Sequence, residues 1–326
     1  VSAISRFHYL RRTLAAYCLP GRSQLSFWHE TPEANPNARP DQLGEYYMTF
    51  AAKADYAGPF DAQGIPQLDY RGRLGRQYNP IAIAQYGLGN YNLFKRTGDA
   101  DRKRKALLAA DWLESHLENN PGGLAVWNHH FDWEYRSPLR APWYSGLAQG
   151  QGLSLLVRAH RESGDDRYLR AARRAFECFT RPVDQGGVIF RDDRARSWIE
   201  EYIVSPPTHI LNGFIWASWG LLDGHLAGVD PAAQKLWTDS IATLRDVLGS
   251  YDAGFWSLYE HSGTRMRMLA SRFYHALHIV QLRVLHRLTG EKVFGETADR
   301  WDRYRASWWK RTRAGVHKAV FKLCYY

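Results

Sequence analysis

The rhythm of hydrophobic and polar positions changes near residue 80. From there Ile81, Ala84, Leu88 and Tyr91, with Gln85 among them, recur at the spacing of one helical face. Asp99 to Glu118 forms a second amphipathic stretch carrying Leu107, Leu108, Trp112 and Leu117. This predicts a helical hairpin, and the pattern returns three times. A helix through Leu147 to Arg161 turns at Gly164 and comes back through Tyr168 to Phe179. Ile210 to Leu226 turns at Gly228 and comes back from Pro231 to Leu248, and Phe273 to Leu288 turns at Gly290 and comes back to Trp308.

The turn glycines Gly98, Gly164, Gly228 and Gly290 lie 66, 64 and 62 residues apart. Each is followed within two positions by an acid, Asp99, Asp165, Asp230 or Glu291, as suits a glycine ending one helix and a carboxylate capping the next. Three aromatic insertions, at Gly122-Gly123, Gly186-Gly187 and Gly254, keep nearly the same period. A period this regular predicts a repeating architecture. The fold expected is mainly α: an (α/α) toroid or barrel of repeated helical hairpins, with β-hairpin insertions gathered at one rim. Residues 1–78 are broken by Pro20, Pro32, Pro36, Pro40, Pro59 and Pro66 and read as an irregular, β-rich segment contributing to the cleft. Residues 79–326 read as the barrel that carries catalysis.

Composition narrows the partner. Lys and Arg number 43 against 33 Asp and Glu, a net charge of +10, which points to a polyanion. Thirteen Trp and 19 Tyr supply flat apolar faces with polar edges, as sugar-binding clefts and single-strand stacking platforms use. Nucleic acid is the weaker partner, because the basic residues are scattered. Only the stretch from Trp308-Trp309-Lys310-Arg311 to Lys322 clusters them, and it reads as a solvated cationic terminus. Cys18, Cys178 and Cys324 are odd in number with no CxxC spacing, so a reducing compartment without a disulfide framework or zinc site is expected. No apolar run is long enough to cross a bilayer, and Val1 to Leu10 does not read as a signal peptide. A cytoplasmic chain without stable membrane association is the expectation, and a homodimer is the assembly considered.

The sequence holds no nucleophile elbow, P-loop or dinucleotide fingerprint, so no cofactor is expected. What the insertions hold is acid-base chemistry. The first carries His129, His130, Asp132, Glu134, Tyr135 and Arg136; strand alternation would send the two histidines to opposite faces, against a metal site. The second carries Glu200-Glu201-Tyr202. The third carries Tyr259-Glu260-His261 with Arg265 and Arg267, and leads to Arg272, Tyr274, His275 and His278. Tyrosine and carboxylate beside arginine, on a cationic helical toroid, suit proton abstraction next to a carboxylate.

Ordered blocks from Gly64 to Trp309 then carry a resemblance. They are Gly64-Ile65-Pro66, Pro80 to Leu88, Ala110-Asp111-Trp112-Leu113, Trp143-Tyr144-Ser145 with Ala148-Gln149-Gly150-Gln151, and Glu200-Glu201-Tyr202 with Leu211-Asn212-Gly213-Phe214. Leu258-Tyr259, Tyr274-His275 and His278-Ile279 with Gln281-Leu282 follow. The chain resembles the C-terminal domain family of D-glucuronyl C5-epimerases, which act on heparosan. The resemblance implies a helical (α/α) barrel after a β-rich part, and reversible inversion of D-glucuronate to L-iduronate within an acidic polysaccharide. By similarity Glu201 and Tyr274 would be the acid-base pair flanking C5, with Tyr259 and Tyr202 in support. Tyr47, Lys53, Glu134, Tyr144, Gln149, Asn212, Arg265, Arg267, Arg272 and His275 would contact substrate. Either Arg265 or Arg267 would stand in for a family arginine nearer the first tyrosine, where this chain has Glu260-His261-Ser262. The β-domain that animal members insert after the Pro80–Leu88 helix has no counterpart here, nor do its calcium ligands, so no metal is carried over. Animal relatives are anchored in the Golgi lumen, whereas no anchor or leader is read in this chain.

Physical chemistry sets the terms of such a reaction. The proton at C5 is α to a carboxylate, which resists a second negative charge unless a cation or hydrogen-bond donor sits on it. Inversion needs one group on each ring face. Tyrosine titrates near 10, so a phenolate base needs roughly two to three units of lowering, which Arg265, Arg267 or Arg272 would supply in part. Burial would raise Glu201 toward neutrality from the other side. Two other activities share these features: a polysaccharide lyase, which begins with the same abstraction, and a non-catalytic module that binds acidic polysaccharide.

Overall fold

The computed structural model describes residues 24–261 and 263–325. Cys18, Pro20 and the reading of Val1 to Leu10 lie outside the described residues. Helices α1 (Gln24–Trp28) and α2 (Ala51–Ala54) come first, then the antiparallel pair β1 (Leu68–Asp69) and β2 (Arg76–Gln77). The first hairpin is α3 (Pro80–Thr97) and α4 (Ala100–Ser115), followed by the paired strands β3 (Glu118–Asn119) and β4 (Ala125–Val126). The second is α5 (Gly146–Ser163) and α6 (Asp166–Phe176), followed by β5 (Ile189–Arg191) and β6 (Ser197–Ile199). Helices α7 (Leu211–Leu226) and α8 (Ala233–Val247) make the third hairpin, and α9 (Arg272–Thr289) and α10 (Lys292–Ala306) the fourth. Helix α11 (Trp308–Tyr325) ends the chain.

The repeat expected from the sequence is present. Gly98, Gly164, Gly228 and Gly290 all sit in the left-handed region, at φ of 72°, 72°, 65° and 73°, where a Cβ would be strained. Asp99, Asp165 and Asp230 accept backbone N–H groups from Asp101, Arg167 and Ala232 at 2.8, 2.9 and 2.7 Å. Glu291 departs from this pattern. It holds the capping position without a side-chain cap, and its longer carboxylate reaches Arg245 at 3.5 Å instead.

The first helix of each hairpin is the inner one. Helices α3, α5, α7 and α9 pack side by side in chain order, with α4, α6, α8 and α10 behind them. The tightest seam joins α5 to α7. A Cβ on Gly150 would lie 2.5 Å from the Ala217 Cα, and one on Gly220 would lie 2.5 Å from the Gly150 Cα, so only glycine permits this approach. Helices α3, α5 and α7 are buried nearly all round over their first turns, α3 from Pro80 through Asn92, which is why they carry amides where a surface helix would carry charge, while α9 keeps an exposed side. These amides are used. Gln85 donates to Gln151 at 3.0 Å across the α3–α5 seam, and Gln281 to the Asn212 carbonyl at 3.0 Å.

The segment before α3 pairs with itself mainly at isolated bridges, Ala34 with Met48 and Phe60 with Pro66, and a side chain of α3 takes part of its backbone hydrogen bonding. Asn92 accepts from the Tyr46 N–H at 2.7 Å and donates to the Met48 carbonyl at 2.8 Å. Tyr46 to Phe50 thereby runs between α3 and Trp216 and Trp219 of α7. Turn glycines close one end of the inner helices. The N-termini open at the other end, where the insertions gather.

Helix α11 corrects one expectation. Its charge suggests a solvated terminus as far as Lys322, yet Ala314 and Phe321 are buried, and Phe321 packs with Ile210, Tyr259, Met268 and Ala270. The apolar stripe at 314 and 321 draws Lys318, which lies between them on the same face, inward with it.

Candidate active site

A cavity of about 280 Å³ opens at the N-terminal ends of the inner helices. Each contributes its first turns: Ile81 and Gln85 from α3, Leu147 from α5, Asn212 and Trp216 from α7, and Phe273, Tyr274 and Leu277 from α9. The positive ends of four helix dipoles therefore face one space, which favours an anionic ligand. Trp28, Phe131, Trp133 and Trp143 add aromatic walls. Among the described residues, the lysines lining it are Lys53, Lys318 and Lys322.

The two adjacent glutamates divide their work because a strand alternates its side chains. Strand β6 leads into Glu200, whose carbonyl accepts from the Gly146 N–H at 3.0 Å and whose own N–H donates to the Val188 carbonyl at 2.9 Å. The Glu200 carboxylate turns away from the cavity. It accepts the His209 backbone N–H at 3.1 Å and pairs with the His209 ring, which holds the loop before α7. Glu201 points the other way and lines the cavity. Its Oε2 is buried and has no hydrogen-bond partner, as is true of Oδ1 of Asn212 on the next helix. Orphaned buried oxygens are rare in folded proteins, and here both border a cavity able to bring a partner.

Burial lifts the Glu201 carboxyl to about 8; the Tyr202 hydroxyl opposes the shift, and the charges of Glu260 and Glu200 add to it. A carboxyl that titrates there can both give and take a proton close to neutrality. The tyrosines move the opposite way from a ready phenolate. Burial pushes Tyr202 and Tyr259 well above 10, with Glu201 and neighbouring tyrosines adding to it. Arg265, Arg267 and Arg272, expected to lower them, are exposed and do not line the cavity.

Tyr259 and Tyr274 meet through backbone capping. The Tyr259 carbonyl accepts the Leu211 N–H at 3.1 Å at the start of α7, and its own N–H donates to the Met268 carbonyl at 2.8 Å. Ser271 caps α9 by accepting the Tyr274 N–H at 3.2 Å. The two rings then pack at 4.8 Å between centroids.

Glu201, Tyr202, Tyr259, Tyr274, Lys53, Glu134 and Asn212 all line this one space. Other expected contacts do not. Tyr47 is buried at the far ends of α5 and α7, where its hydroxyl donates to Asp223 at 2.8 Å. Gln149 accepts the Trp127 N–H at 2.9 Å and packs inside the repeat, while the Tyr144 hydroxyl donates to the Gly186 carbonyl at 2.9 Å. His275 stacks on Trp256 at 3.7 Å and shares the Ser257 hydroxyl with His278, at 2.7 and 3.0 Å. His129 is buried against Trp143 and His130 is exposed beside Glu118 at 3.1 Å, on opposite faces as alternation requires.

Sequence reasoning missed the support of Glu260. Tyr135 hydrogen-bonds to this buried acid, and Arg136 pairs with it at 3.0 Å. The three residues are 125 positions apart at most, so no local pattern could join them. Lys318 and Lys322 were missed for the reason given above.

Gly213 is what admits Glu201. A Cβ there would fall 2.1 Å from the Glu201 Oε2 and 2.7 Å from its Cβ. Gly213→Ala is expected to displace the carboxyl and lower turnover about 100-fold, on the scale of a misplaced reacting group, with helicity unchanged by circular dichroism.

Fold and site together define a helical hairpin protein with a carboxyl-and-tyrosine cleft on a cationic surface. Its family follows from comparison. A model of the D-glucuronyl C5-epimerase C-terminus matches residues 122–303, more than half the chain, and the chain belongs to that family. A D-glucuronyl C5-epimerase of Caenorhabditis elegans is 31% identical over 211 residues, 60% of this chain and 34% of that protein. An uncharacterised protein of Methanocaldococcus jannaschii is 31% identical over 180 residues, 54% of this chain and 56% of that one. The chain thus spans about a third of the worm protein and just over half of the archaeal one. Among solved structures, the unsaturated glucuronyl hydrolase of Bacillus sp. GL1 overlaps 72% of this chain and 61% of its own, at 16% identity and a TM-score of 0.43. Among the described residues, no helix is long and apolar enough to cross a membrane.

Proposed function

We propose that this chain is a uronate C5-epimerase, converting D-glucuronate to L-iduronate within a heparosan-like polymer. The observation that carries the reading is that Glu201, with a buried unpartnered oxygen, and Tyr274 line one cleft at the N-termini of the inner helices. Family membership supplies the reaction class.

The chain's own residues account for the steps. Aromatic walls take the sugar faces, and the helix N-termini favour the carboxylate. Ionised Glu201 removes the C5 proton, and the C5–H electron pair moves into the carboxylate as an aci dianion. Tyr274 donates its phenolic proton to the opposite face of C5, which inverts the centre. Glu201 is left protonated and Tyr274 as phenolate, and solvent returns both to the starting state. The reverse reaction starts from that second state.

Heparosan in deuterium oxide tests this reading. Expected is deuterium at C5 and growth of iduronate signals by NMR, with chain length unchanged. Shortened chains ending in an unsaturated uronate would make the protein a lyase instead; binding without exchange would leave a binding module. Tyr274→Phe is expected to lower exchange by about 10²–10³-fold while the protein stays folded, the range for loss of a positioned proton carrier.

A further inference from the structure

The cleft's positive charges are not equivalent. Lys53 is committed, since its ammonium lies 3.5 Å from Glu30 and donates to the Phe27 carbonyl at 2.7 Å. Arg136, nearby, is committed to Glu260. Lys318 differs from both. It lines the cavity, yet it comes from α11, beyond residues 122–303 that the family model matches. Its ammonium donates to the Leu269 carbonyl at 2.6 Å, and no acid pairs with it among the described residues. An ammonium has three protons, so two remain for the cavity side.

Its place in the cleft is specific. The Lys318 Nζ stands 5.6 Å from the centroid of the Tyr259 ring, and that ring packs directly on Tyr274. The ammonium is therefore one ring away from a proposed proton carrier. Lys318 is half-buried, and a partly desolvated cation without an acid paired to it gains from an arriving carboxylate. Burial, with Lys322 adding, holds this ammonium down at about 7, and the Glu260 charge opposes them. A carboxylate in contact would raise it and keep it charged.

We propose, resting on the epimerase reading, that Lys318 is the catalytic cation that receives the sugar carboxylate and balances the second negative charge formed there when C5 loses its proton. Lys318 gives up no proton in this step. The C5–H pair moves onto the carboxylate facing the ammonium, and it returns to C5 when the new C5–H bond forms. The C-terminal helix is then part of the active site and supplies the charge that the exposed Arg265 and Arg267 do not.

The test uses the full chain with Lys318→Met, which keeps the apolar stem and removes the charge, with Lys318→Gln as a second neutral variant and Lys318→Arg as the conservative one. Initial rates of C5 deuterium incorporation into heparosan give kcat and KM separately. Expected for the folded neutral variants is a fall in kcat of about 10²–10³-fold, the scale of losing one donor to a developing oxyanion, with a smaller change in KM. Lys318→Arg is expected to keep kcat within about tenfold of the wild type, since the charge remains but the fork is placed differently. Neutral variants exchanging within a few-fold of an active wild type would overturn the proposal. Should the wild type itself not exchange, the epimerase reading fails, and Lys318 is then judged by binding. A wild type that prefers a glucuronate oligosaccharide over its carboxyl-reduced counterpart, with the preference lost in Lys318→Met, still supports carboxylate recognition; an unaltered preference overturns it.

Discussion

Glu201→Gln is expected to abolish measurable C5 exchange, a fall of about 10³-fold or more, while raising thermal stability near pH 8. The loss in rate follows from removing a proton carrier that glutamine cannot replace. The gain in stability follows from linkage. The carboxyl titrates at about 8 in the folded chain against 4.5 ordinarily. Its folded-state pKa is raised, so its favourable contribution is complete below about pH 4.5 and is lost as pH rises through about 8. Glutamine carries no such dependence. The difference in Tm between variant and wild type is therefore expected to widen from pH 5 to pH 8. A variant less stable than wild type at pH 8 would contradict the burial of Glu201.

The same shift predicts the shape of the activity profile. In the proposed mechanism the forward direction needs ionised Glu201 with neutral Tyr274, and the reverse needs neutral Glu201 with Tyr274 phenolate. These two states hold the same number of protons, so both directions share one profile; in the free protein Glu201 titrates at about 8 and Lys318 at about 7, so kcat/KM is expected to pass through a maximum between them and to fall on either side.

Asp223→Ala is expected to destabilise the fold by about 3–5 kcal/mol, the scale of breaking a buried ion pair from one side. Arg158 and Asp223 are 1% and 0% exposed and share two hydrogen bonds, at 2.6 and 3.1 Å. The alanine leaves a buried guanidinium without its counter-charge, and it also releases the Tyr47 hydroxyl. Remaining bonds from Arg158 to the Gly44 and Ser154 carbonyls, both at 2.8 Å, do not neutralise its charge. Urea unfolding reads this directly as a lower midpoint with an unchanged slope. Arg158→Met combined with Asp223→Leu is expected to recover most of the loss, because no charge is then left unpaired.

Much of this was legible in the chain because it is local. The hairpin period shows in glycines that must adopt positive φ and in the aspartates after three of them that accept backbone N–H groups, each decided within a few residues. Glu201, Tyr259 and Tyr274 were legible through the insertions that carry them and through family resemblance. Residues whose role is set by distant partners were not. Tyr47 reads as a polar aromatic of the cleft, and only the fold shows Asp223, 176 positions away, taking its hydroxyl. The arginines near 265 have the right charge in the right loop, but their side chains face solvent. Lys318 has a charge that suggests solvent, while the buried Ala314 and Phe321 on its helical face turn it, half-buried, toward the cavity.

In the proposed mechanism a carboxyl and a phenol face each other across one sugar ring. A crystal structure of the Tyr274→Phe variant with a heparosan oligosaccharide tests it most directly. Expected on one face is the Glu201 carboxyl within hydrogen-bond reach of C5. Expected on the other is the edge of the substituted phenylalanine ring, at the place where the Tyr274 hydroxyl stands in the wild type. Both groups on the same face, or C5 out of reach of either, would contradict it.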